Sequence, residues 1–536
     1  MKRKFALHPK GAEQILGGQK LNGDIIGSEV TMERPNVILI FTDQWRGDFI
    51  GNLGHKVKTP FIDQLAGEGI TYTSAYCATP SCIPARASLL TGMSGSSCNR
   101  IGYLDGVPWR YPVTMQGTFR DAGYQTINVG KTHYYPRRNG QGFEINRLYD
   151  PQNWLDGEKS DYHKWLHDET DGKVIDPADA VDNNGFCYIP WTYDNYLHPT
   201  EWTADTALDE IRNRDQSRPF FMQIGFHRPH PPLDPPEAYY NMYRDTDFGD
   251  APVGEWEPEA WRRRTASNSP ILGTKSYEDR QTAIRAYCAQ LTHIDYQIGK
   301  IVYYLRRHEH TKNTIIMFTS DHGDLLGDHC VWRKIYPYEG SAKIPMILNT
   351  PDAFIQTVNT TKGYRRDETP VTHMDIMPTL LSLAGVEVPE TVEGIDFSGP
   401  LYDKPVEGRE FIHGEHSAGD MMSVQFVTDG QIKYCYDAVS GREELFDLVN
   451  DPNELLNLAE NEEYGDLLIK WKQRMIDELS KRPDDGLVKN GVLQKGVVLP
   501  PIRKELLNGL KAEDVHPNAR KSIEHFWDNG IWDEIK

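Results

Sequence analysis

Two short runs of apolar residues constrain the fold of this 536-residue chain more than any other feature. The runs Asn36–Gln44 and Thr314–Ser320 each contain consecutive apolar residues instead of an apolar residue at every second position. Such runs are typical of strands that are covered on both faces, as in parallel sheets. Each run leads directly into an aspartate, Asp43 in the first case and Asp321 in the second. Because ligands bind at the carboxyl ends of strands in open α/β sheets, we predict that both carboxylates are functional, although either one could simply cap a turn.

The segments around these runs predict an α/β fold with a doubly wound sheet. Further strands are predicted at Ile70–Tyr76, Gly123–Gly130 and Pro219–Gly225, and helices at Gln116–Ala122, Trp202–Asn213 and residues 279–307. Strands that alternate with helices in this way favour a large, mostly parallel sheet sandwiched by helices. We therefore predict one such domain over residues 34–404.

Changes in composition and hydrophobic periodicity predict the boundaries of the remaining segments. Residues 1–33 lack periodicity and are predicted to be an irregular N-terminal arm. The polar and aromatic segment 136–200 is predicted to be an insertion on the substrate side of the large domain. Alternating residues after about 405 predict a smaller antiparallel α+β domain over residues 405–485, and residues 486–536 are predicted to be a C-terminal tail.

The composition of the chain limits the kinds of binding partner and the cellular location that we expect. The formal charge of −20 argues against nucleic acid as a partner, and it means that an anionic ligand needs a local basic pocket. Seven scattered cysteines do not resemble a disulfide framework. Neither a signal-peptide core nor an apolar run long enough for a membrane span is recognisable, so we expect a cytoplasmic protein that does not bind membranes.

The segment around Cys82 has the features of a reactive site. Pro84 suits the first turn of a helix, and the helix-forming residues after it place Cys82 at the helix N-terminus, where an anion is favoured. Arg86 follows one turn later and can point back towards the sulfur. A nucleophile beside a fixed cation is typical of a reactive cysteine, although a buried structural cysteine would share these local features.

Other polar groups also follow predicted strands. Two carboxylates with a neighbouring amide suit Ca²⁺ or Mg²⁺, and an added imidazole leaves Mn²⁺ open. The basic side chains of these segments could form a ring that receives an anion. The residues that complete this candidate site are Gln44, Lys131, His133, His227, His230, His322 and Lys334. Further candidate substrate contacts in the insertion are His163, His198, Trp154, Trp165 and Trp191.

Taken together, these motifs resemble the type I sulfatases of the alkaline-phosphatase-like superfamily. The resemblance rests on Thr42-Asp43-Gln44, Cys82-x-Pro-x-Arg86, Gly130-Lys131-x-His133, the Pro-His-x-Pro loop around His230, and Ser320-Asp321-His322-Gly323 followed by Lys334. The later Glu443–Leu448 segment is similar to the C-terminal domain of that family. The resemblance implies an alkaline-phosphatase-like fold and the hydrolysis of carbohydrate or aryl sulfate esters to alcohol and inorganic sulfate.

The resemblance also implies a cofactor and a role for each site residue. Cys82 would be oxidised to formylglycine, and one divalent cation, expected to be calcium with magnesium or manganese as alternatives, would be bound by Asp43, Gln44, residue 82, Asp321 and His322. Arg86 would hold the formylglycine diol, and His133 would assist it. The implied sulfate-binding residues and leaving-group acid are Lys131, Lys334 and His230, with His227 as a rival for the acid. The implied partners are a sulfated small molecule or glycan and a formylglycine-generating or anaerobic sulfatase-maturing enzyme.

Two other functions stay open at the level of sequence. The Asp43-Gln44 pair also resembles the phosphonate monoester hydrolases, so hydrolysis of phosphonates or phosphate diesters on the same scaffold is an alternative. A non-catalytic relative that binds sulfated glycans is a third, although a binding protein does not need Cys82, Asp43 and Asp321 together.

Overall fold

The computed structural model describes residues 34–151, 159–182, 184–266, 271–351, 365–527 and 531–534. The predicted N-terminal arm and Trp154 lie outside these residues. The strands, in chain order, are β1 (Asn36–Asp43), β2 (Ile70–Tyr72), β3 (Ala75–Tyr76), β4 (Gln125–Gly130), β5 (Ile145–Leu148), β6 (Phe220–Pro229), β7 (Thr314–Ser320), β8 (Met346–Asn349), β9 (Arg365–Asp367), β10 (Val371–Thr372), β11 (Ile412–Ser417), β12 (Ser423–Thr428), β13 (Ile432–Asp437), β14 (Arg442–Asp447), β15 (Val488–Lys489) and β16 (Val492–Leu493).

The described α-helices lie on both sides of the large sheet and around the smaller one. In chain order they are α1 (Pro60–Gly67), α2 (Cys82–Thr91), α3 (Met115–Asp121), α4 (Asp161–Thr170), α5 (Pro177–Ala180), α6 (Pro199–Asn213), α7 (Glu237–Asn241), α8 (Glu259–Arg262), α9 (Tyr277–Arg307), α10 (Glu339–Ala342), α11 (Ile376–Leu383), α12 (Gly465–Leu479), α13 (Pro517–Trp527) and α14 (Ile531–Glu534).

The large sheet has the strand order β5-β4-β6-β1-β7-β8-β2-β9. The five strands from β5 to β7 are parallel to one another, whereas β8 is antiparallel to both of its neighbours. Alternate residues of β1 enter two different apolar clusters, one that contains Ile38 with α9 and one that contains Leu39 with α11. Burial on both faces explains the continuous apolar run, and the predicted mostly parallel α/β sheet is confirmed.

The predicted strand Ile70–Tyr76 is divided in the structure. Its first part, β2, belongs to the large sheet, whereas β3 pairs with β10 in a separate two-stranded sheet. This second pairing joins the segment just before α2 to Val371 and Thr372. The partner strand is almost 300 residues away, so no local pattern could indicate the break.

The smaller sheet has the order β11-β12-β13-β14 and is antiparallel throughout, as predicted. One face packs on α12, where Trp471 and Met475 meet Tyr434, and the other face packs on the large domain through Phe426. Residues 34–536 form one compact unit, and the C-terminal tail continues the contact between the two sheets. Ile101 N–H donates to Pro501 O at 3.0 Å, which fastens the tail to the loop after α2.

Hydrophobic segments in the described ranges are core strands and amphipathic helices. Among these residues, no helix combines the length and the apolar character needed to cross a membrane.

Candidate active site and metal centre

The candidate site lies where four neighbouring parallel strands end. Strand β1 lies between β6 and β7, with Thr42 paired to Ser320 and Asp43 paired to Pro229. This register places Asp43 beside Asp321 on one side and beside His230 on the other. His230 N–H donates to Asp43 O at 3.1 Å, so the loop after β6 is joined directly to the end of β1.

Strand β4 brings Lys131 to the same edge. The preceding residue, Gly130, has φ of +97°, and a Cβ built on it would lie 2.0 Å from Gly225 O. Only glycine permits this close approach of the two backbones. The chain can therefore turn inward after β4, and Lys131 Nζ lies 2.6 Å from Asp43 Oδ2.

Cys82 is the first residue of α2 and is 1% exposed. Its Sγ lies 3.2 Å from His322 Nε2 and 3.7 Å from Asp43 Oδ1. Burial and Asp43 raise the pKa of the Cys82 thiol, but Lys334 and His322 outweigh them and lower it to about 6. The field at position 82 therefore favours an anionic nucleophile, as the sequence predicts for this helix N-terminus.

Four groups around this position could hold a metal ion. The donor atoms of Asp43, Cys82, Asp321 and His322 all lie within 4.8 Å of one another, and all four residues are buried. His322 Nδ1 donates to Gly323 O at 2.9 Å, so Nε2 is the ring nitrogen that faces the cluster. Burial lowers the pKa of His322, but Asp321 and Cys82 outweigh it and raise this pKa, so a cation would have to displace a proton from Nε2. Two carboxylates and an imidazole that can give up this proton fit a divalent cation.

Arg86 balances the charge of the two carboxylates. Its Nη2 lies 3.2 Å from Asp43 Oδ2 and 3.0 Å from Asp321 Oδ2, and its Nη1 donates to Lys131 O at 3.2 Å. The Oδ1 atoms of the same carboxylates are left to face Cys82 and His322. Burial raises the pKa of Asp43, but the cations Lys131 and Arg86 hold it well below its usual value, so the carboxylate is ionised.

Gln44 is close to the cluster, but its side chain has other partners. Its Oε1 accepts from Lys334 Nζ at 2.6 Å, and its Nε2 donates to Asp324 Oδ2 at 2.5 Å. Its backbone N–H donates to Asp321 Oδ1 at 2.9 Å. The side-chain amide of Gln44 thus orients Lys334, and its backbone N–H orients Asp321. The role of the Gln44 side chain as a metal ligand stays a prediction.

Two histidines of the loop after β6 are uncharged in this arrangement. His227 Nδ1 lies 3.4 Å from Lys131 Nζ, and the ring centroids of His227 and His230 are 4.9 Å apart. Burial, with Lys131 and Arg228, holds the pKa of His227 well below its usual value. Burial and Lys334 do the same for the pKa of His230, against the opposing effect of Asp43.

His133 has the opposite charge state. Its backbone lies at φ of +62°, and its N–H donates to Asp150 Oδ2 at 2.9 Å, which turns the ring towards the site. Its Nε2 lies 3.6 Å from Asp105 Oδ2. Burial and Lys131 lower the pKa of His133, but Asp105 and Cys82 outweigh them and raise it to about 9. His133 is therefore a cation at neutral pH.

A cavity of about 390 Å³ opens over Cys82. Its wall combines predicted residues with others that sequence reasoning missed. The lining residues are Ser81, Cys82, Tyr103, Asn184, His230, Ile271, Arg333, Lys334, Ile335, His416, Ser417, Ala418 and Met421. The predicted insertion 136–200 contributes Asn184, whereas β11 and the loop after it contribute four residues.

The structure places His163 and His198 away from this cavity. His163 is 6% exposed, and its Nε2 lies 3.4 Å from Asp176 and 3.3 Å from Asp179. His198 is fully buried, with Nε2 3.7 Å from Asp234 Oδ1. Trp191 packs on the His198 ring in the same buried region, and Trp165 packs on Tyr162. Both histidines are thus part of the charged network beneath the β6 loop, and their substrate contacts stay predictions.

The His163 contacts give a pH-dependent contribution to stability. Burial lowers the pKa of His163, but Asp176 and Asp179 raise it to about 9, above the ordinary value of 6.5. The ion pair therefore stabilises the fold fully below about pH 6.5, and this contribution of up to about 3 kcal/mol is lost as the pH rises to about 9. We expect His163→Gln to lower the melting temperature clearly at pH 6 and little at pH 9.5. His167→Gln, on the exposed face of the same helix, is the control, and equal losses at both pH values would contradict the charge assignment.

The chain is similar to known proteins over most of its length. The sulfatase family profile matches residues 35–386, and a profile described as N-sulphoglucosamine sulphohydrolase, C-terminal, matches residues 327–481. An arylsulfatase from Clostridium perfringens is 39% identical over 477 residues, covering 86% of this chain and 98% of the relative. A choline-sulfatase from Rhizobium meliloti is 29% identical, covering 81% of this chain and 84% of the relative.

Solved structures give the same fold. The phosphonate monoester hydrolase of Agrobacterium radiobacter superposes with a TM-score of 0.70 at 25% identity, covering 84% of this chain and 96% of that one. The similarity extends over both sheets, since it includes most of each chain.

Proposed function

Because the chain belongs to the sulfatase family, whose enzymes hydrolyse sulfate esters, we propose that it acts with formylglycine at position 82 and one divalent cation. The substrates proposed are carbohydrate or aryl sulfates. The observation that carries the proposal is the convergence of Asp43, Cys82, Asp321 and His322, whose donor atoms lie within 4.8 Å of one another. Cys82 also lines the cavity together with Lys334, and Lys131 lies 2.6 Å from Asp43.

The cofactors would supply charge and a nucleophile. Formylglycine, as its hydrate, provides an oxygen nucleophile in place of the thiol of Cys82. A cation held by Asp43, Asp321, His322 and residue 82, with calcium as the expected metal, supplies positive charge where the reacting oxygens gather. Oxidation of Cys82 needs a maturation enzyme, which we propose as a partner of the newly synthesised chain.

The chain's own cations would hold the sulfate group. Lys131 is fixed by Asp43 and Lys334 is fixed by Gln44, and both side chains are at most 8% exposed. With His133 as a third cation they oppose the net charge of −20 and give an anion a local binding site. Arg86 is already shared by both aspartates, so its role is to orient the carboxylates and the group at position 82.

His230 is proposed as the acid that protonates the leaving alcohol. In the arrangement described, Lys334 and burial hold its pKa well below its usual value, so the imidazole is neutral. A negatively charged ester bound between Lys131 and Lys334 would offset those cations and raise the pKa of His230. Substrate binding and protonation of His230 are thereby coupled.

This role predicts a dependence on the leaving group. We expect His230→Ala to reduce the kcat for an alkyl or sugar sulfate by about 10²–10⁴-fold, the usual contribution of a general acid. The loss on 4-nitrophenyl sulfate should be far smaller, since nitrophenolate leaves without a proton. His227→Ala is the matched variant, and it should reduce both activities alike. Equal losses on good and poor leaving groups for His230→Ala would remove it from the acid role.

The proposed function is tested by turnover of defined esters. The matured, metal-loaded protein should release inorganic sulfate from 4-nitrophenyl sulfate and from a panel of sulfated monosaccharides. The cavity of about 390 Å³ is large enough for a monosaccharide, so sulfated monosaccharides as well as aryl sulfates should enter it. Absence of sulfate release from every ester of the panel would contradict the proposal.

A second activity on the same site is favoured by one specific observation. Gln44 follows Asp43, the first aspartate proposed to bind the metal, and 84% of this chain superposes on a phosphonate monoester hydrolase with a TM-score of 0.70. Hydrolysis of phosphonate monoesters or phosphate diesters is therefore the alternative. The two activities are distinguished by measuring kcat/KM for 4-nitrophenyl sulfate and for 4-nitrophenyl phenylphosphonate. A sulfatase should have the higher kcat/KM on the sulfate.

A further inference from the structure

Ser81 has an unusual relation to the helix that carries Cys82. It is the N-cap residue of α2, with extended backbone at φ of −162° and ψ of 158°, and its O accepts from Ala85 N–H at 3.1 Å. A serine at this position ordinarily accepts a hydrogen bond from the second or third helical N–H with its hydroxyl. The Ser81 hydroxyl makes no such bond.

The neighbouring residues explain part of this difference. Pro84 occupies the third helical position and has no N–H, so Ile83 offers the only N–H that a Ser81 cap could use. The Ser81 Oγ lies instead 3.0 Å from His416 Nε2, on strand β11 of the smaller sheet. One long-range contact has thus replaced the local cap.

His416 is held in place on both sides along its strand. Glu415 N–H donates to Ala78 O at 2.7 Å, and Ser417 N–H donates to Ile101 O at 2.7 Å. At Gly414, strand β11 lies so close to the loop before α2 that a Cβ would lie 2.6 Å from Ala78 O. Glu415, His416 and Ser417 therefore bind the segments before and after α2. The His416 imidazole, between two fixed backbone contacts, has little freedom to move.

The His416 ring also meets the requirements for a neutral hydrogen-bonding group. It is 2% exposed and lines the cavity together with Cys82. Burial, with the nearby His322, lowers the pKa of His416 to about 3, so it adds no charge to the site at neutral pH. A neutral imidazole has one donor and one acceptor, and Nε2 uses one of them on Ser81.

We propose that His416 is a positioning residue of the smaller domain that holds the Ser81 hydroxyl away from the first turn of α2. The N–H groups of residues 82 and 83 have no acceptor within the helix and lie at its positive end. Because the Ser81 hydroxyl binds His416 instead, these N–H groups can donate hydrogen bonds to the oxygens that react at position 82. This inference rests on the proposed function, since it requires chemistry at that position.

The inference is tested by kinetics of His416→Ala, Ser81→Ala and the double variant on 4-nitrophenyl sulfate. Misplacement of a reacting group by a fraction of an ångström to one ångström costs up to about 10²-fold. We expect kcat to fall by about 10–100-fold in His416→Ala, with KM changed less than about twofold, because the sulfate-binding lysines are untouched. His416→Gln, whose amide can reach Ser81, should recover most of the loss.

The double variant distinguishes a shared role from two separate ones. If His416 acts by keeping the Ser81 hydroxyl off the helix N–H groups, Ser81→Ala should keep kcat near that of the parent protein, and the double variant should recover most of the His416→Ala loss. A double variant no faster than His416→Ala would contradict this role, and independent losses would multiply. His413→Ala is the control, since His413 lies on the opposite face of β11 and is bonded to Gln425. Its kcat should stay within about twofold of the parent protein.

The kcat values of the variants are compared only after correction for maturation. All kcat values are divided by the fraction of formylglycine at position 82, measured by mass spectrometry, so a maturation defect is not mistaken for a positioning effect. Unchanged kcat in His416→Ala, or losses that multiply in the double variant, would overturn the inference and leave the sulfatase function intact. Absence of turnover in the parent protein would overturn the proposed function and this inference together.

Discussion

We expect Cys82→Ala to abolish sulfate ester hydrolysis, with kcat lower by at least about 10⁴-fold, as for other enzymes that lose their nucleophile. Alanine cannot be converted to formylglycine, so residue 82 would carry no oxygen nucleophile. The hydrogen-bonding partners of the buried Sγ include His322 and Asp43, which also bind Gly323 and Arg86, so the fold should persist with a modest loss of stability. Activity is measured as sulfate release, and folding as the melting temperature.

The matched control is Cys98→Ala. Cys98 is also buried, and its Sγ donates to Gly95 O at 3.4 Å, but it does not line the cavity. This variant should keep activity within a few-fold of the parent protein. Undiminished turnover in Cys82→Ala would end the assignment of residue 82 as the nucleophile.

The second large effect is expected at Asp321. Asp321→Asn keeps the size of the side chain but removes the charge that pairs with Arg86 and accepts from Gln44 and His322 N–H. A neutral amide is a much weaker ligand for a hard cation than a carboxylate. We therefore expect the variant to lose bound metal and at least about 10³-fold in kcat, measured by metal analysis and sulfate release on the same samples.

Asp328→Asn is the control for this experiment. Asp328 lies in the same loop and is buried, but it pairs with Arg46 and Arg280 outside the cluster. Chelation of the parent protein should remove activity, and Ca²⁺, Mg²⁺ or Mn²⁺ should restore it. Full activity of a metal-free preparation, or normal metal content in Asp321→Asn, would contradict the metal site.

The strand-end part of the site could be predicted from sequence because it depends on local patterns. The apolar runs before Asp43 and Asp321 predict central strands, and parallel central strands bring their carboxyl ends to one edge. The structure places these strands side by side and brings Lys131 and His230 to the same edge. Pro84 likewise indicates the start of the helix that carries Cys82.

The opposite wall of the cavity could not be predicted in this way. His416 contacts Ser81 across 335 residues of sequence, and the alternating pattern of its strand indicates only a half-buried hairpin. The charge of His133 depends on its contact with Asp105, and its backbone lies at φ of +62°; neither feature has a sequence signal. The insertion histidine His163 appears functional by composition, and its pairing with Asp176 becomes evident only in three dimensions.

The chemical state of residue 82 is the most direct test of the whole account. Peptide mass spectrometry of the active enzyme should find formylglycine at position 82, and specific activity across preparations should rise in proportion to the converted fraction. Such proportionality is expected because the thiol form lacks the oxygen nucleophile. A fully active preparation in which every molecule carries the Cys82 thiol would contradict the account.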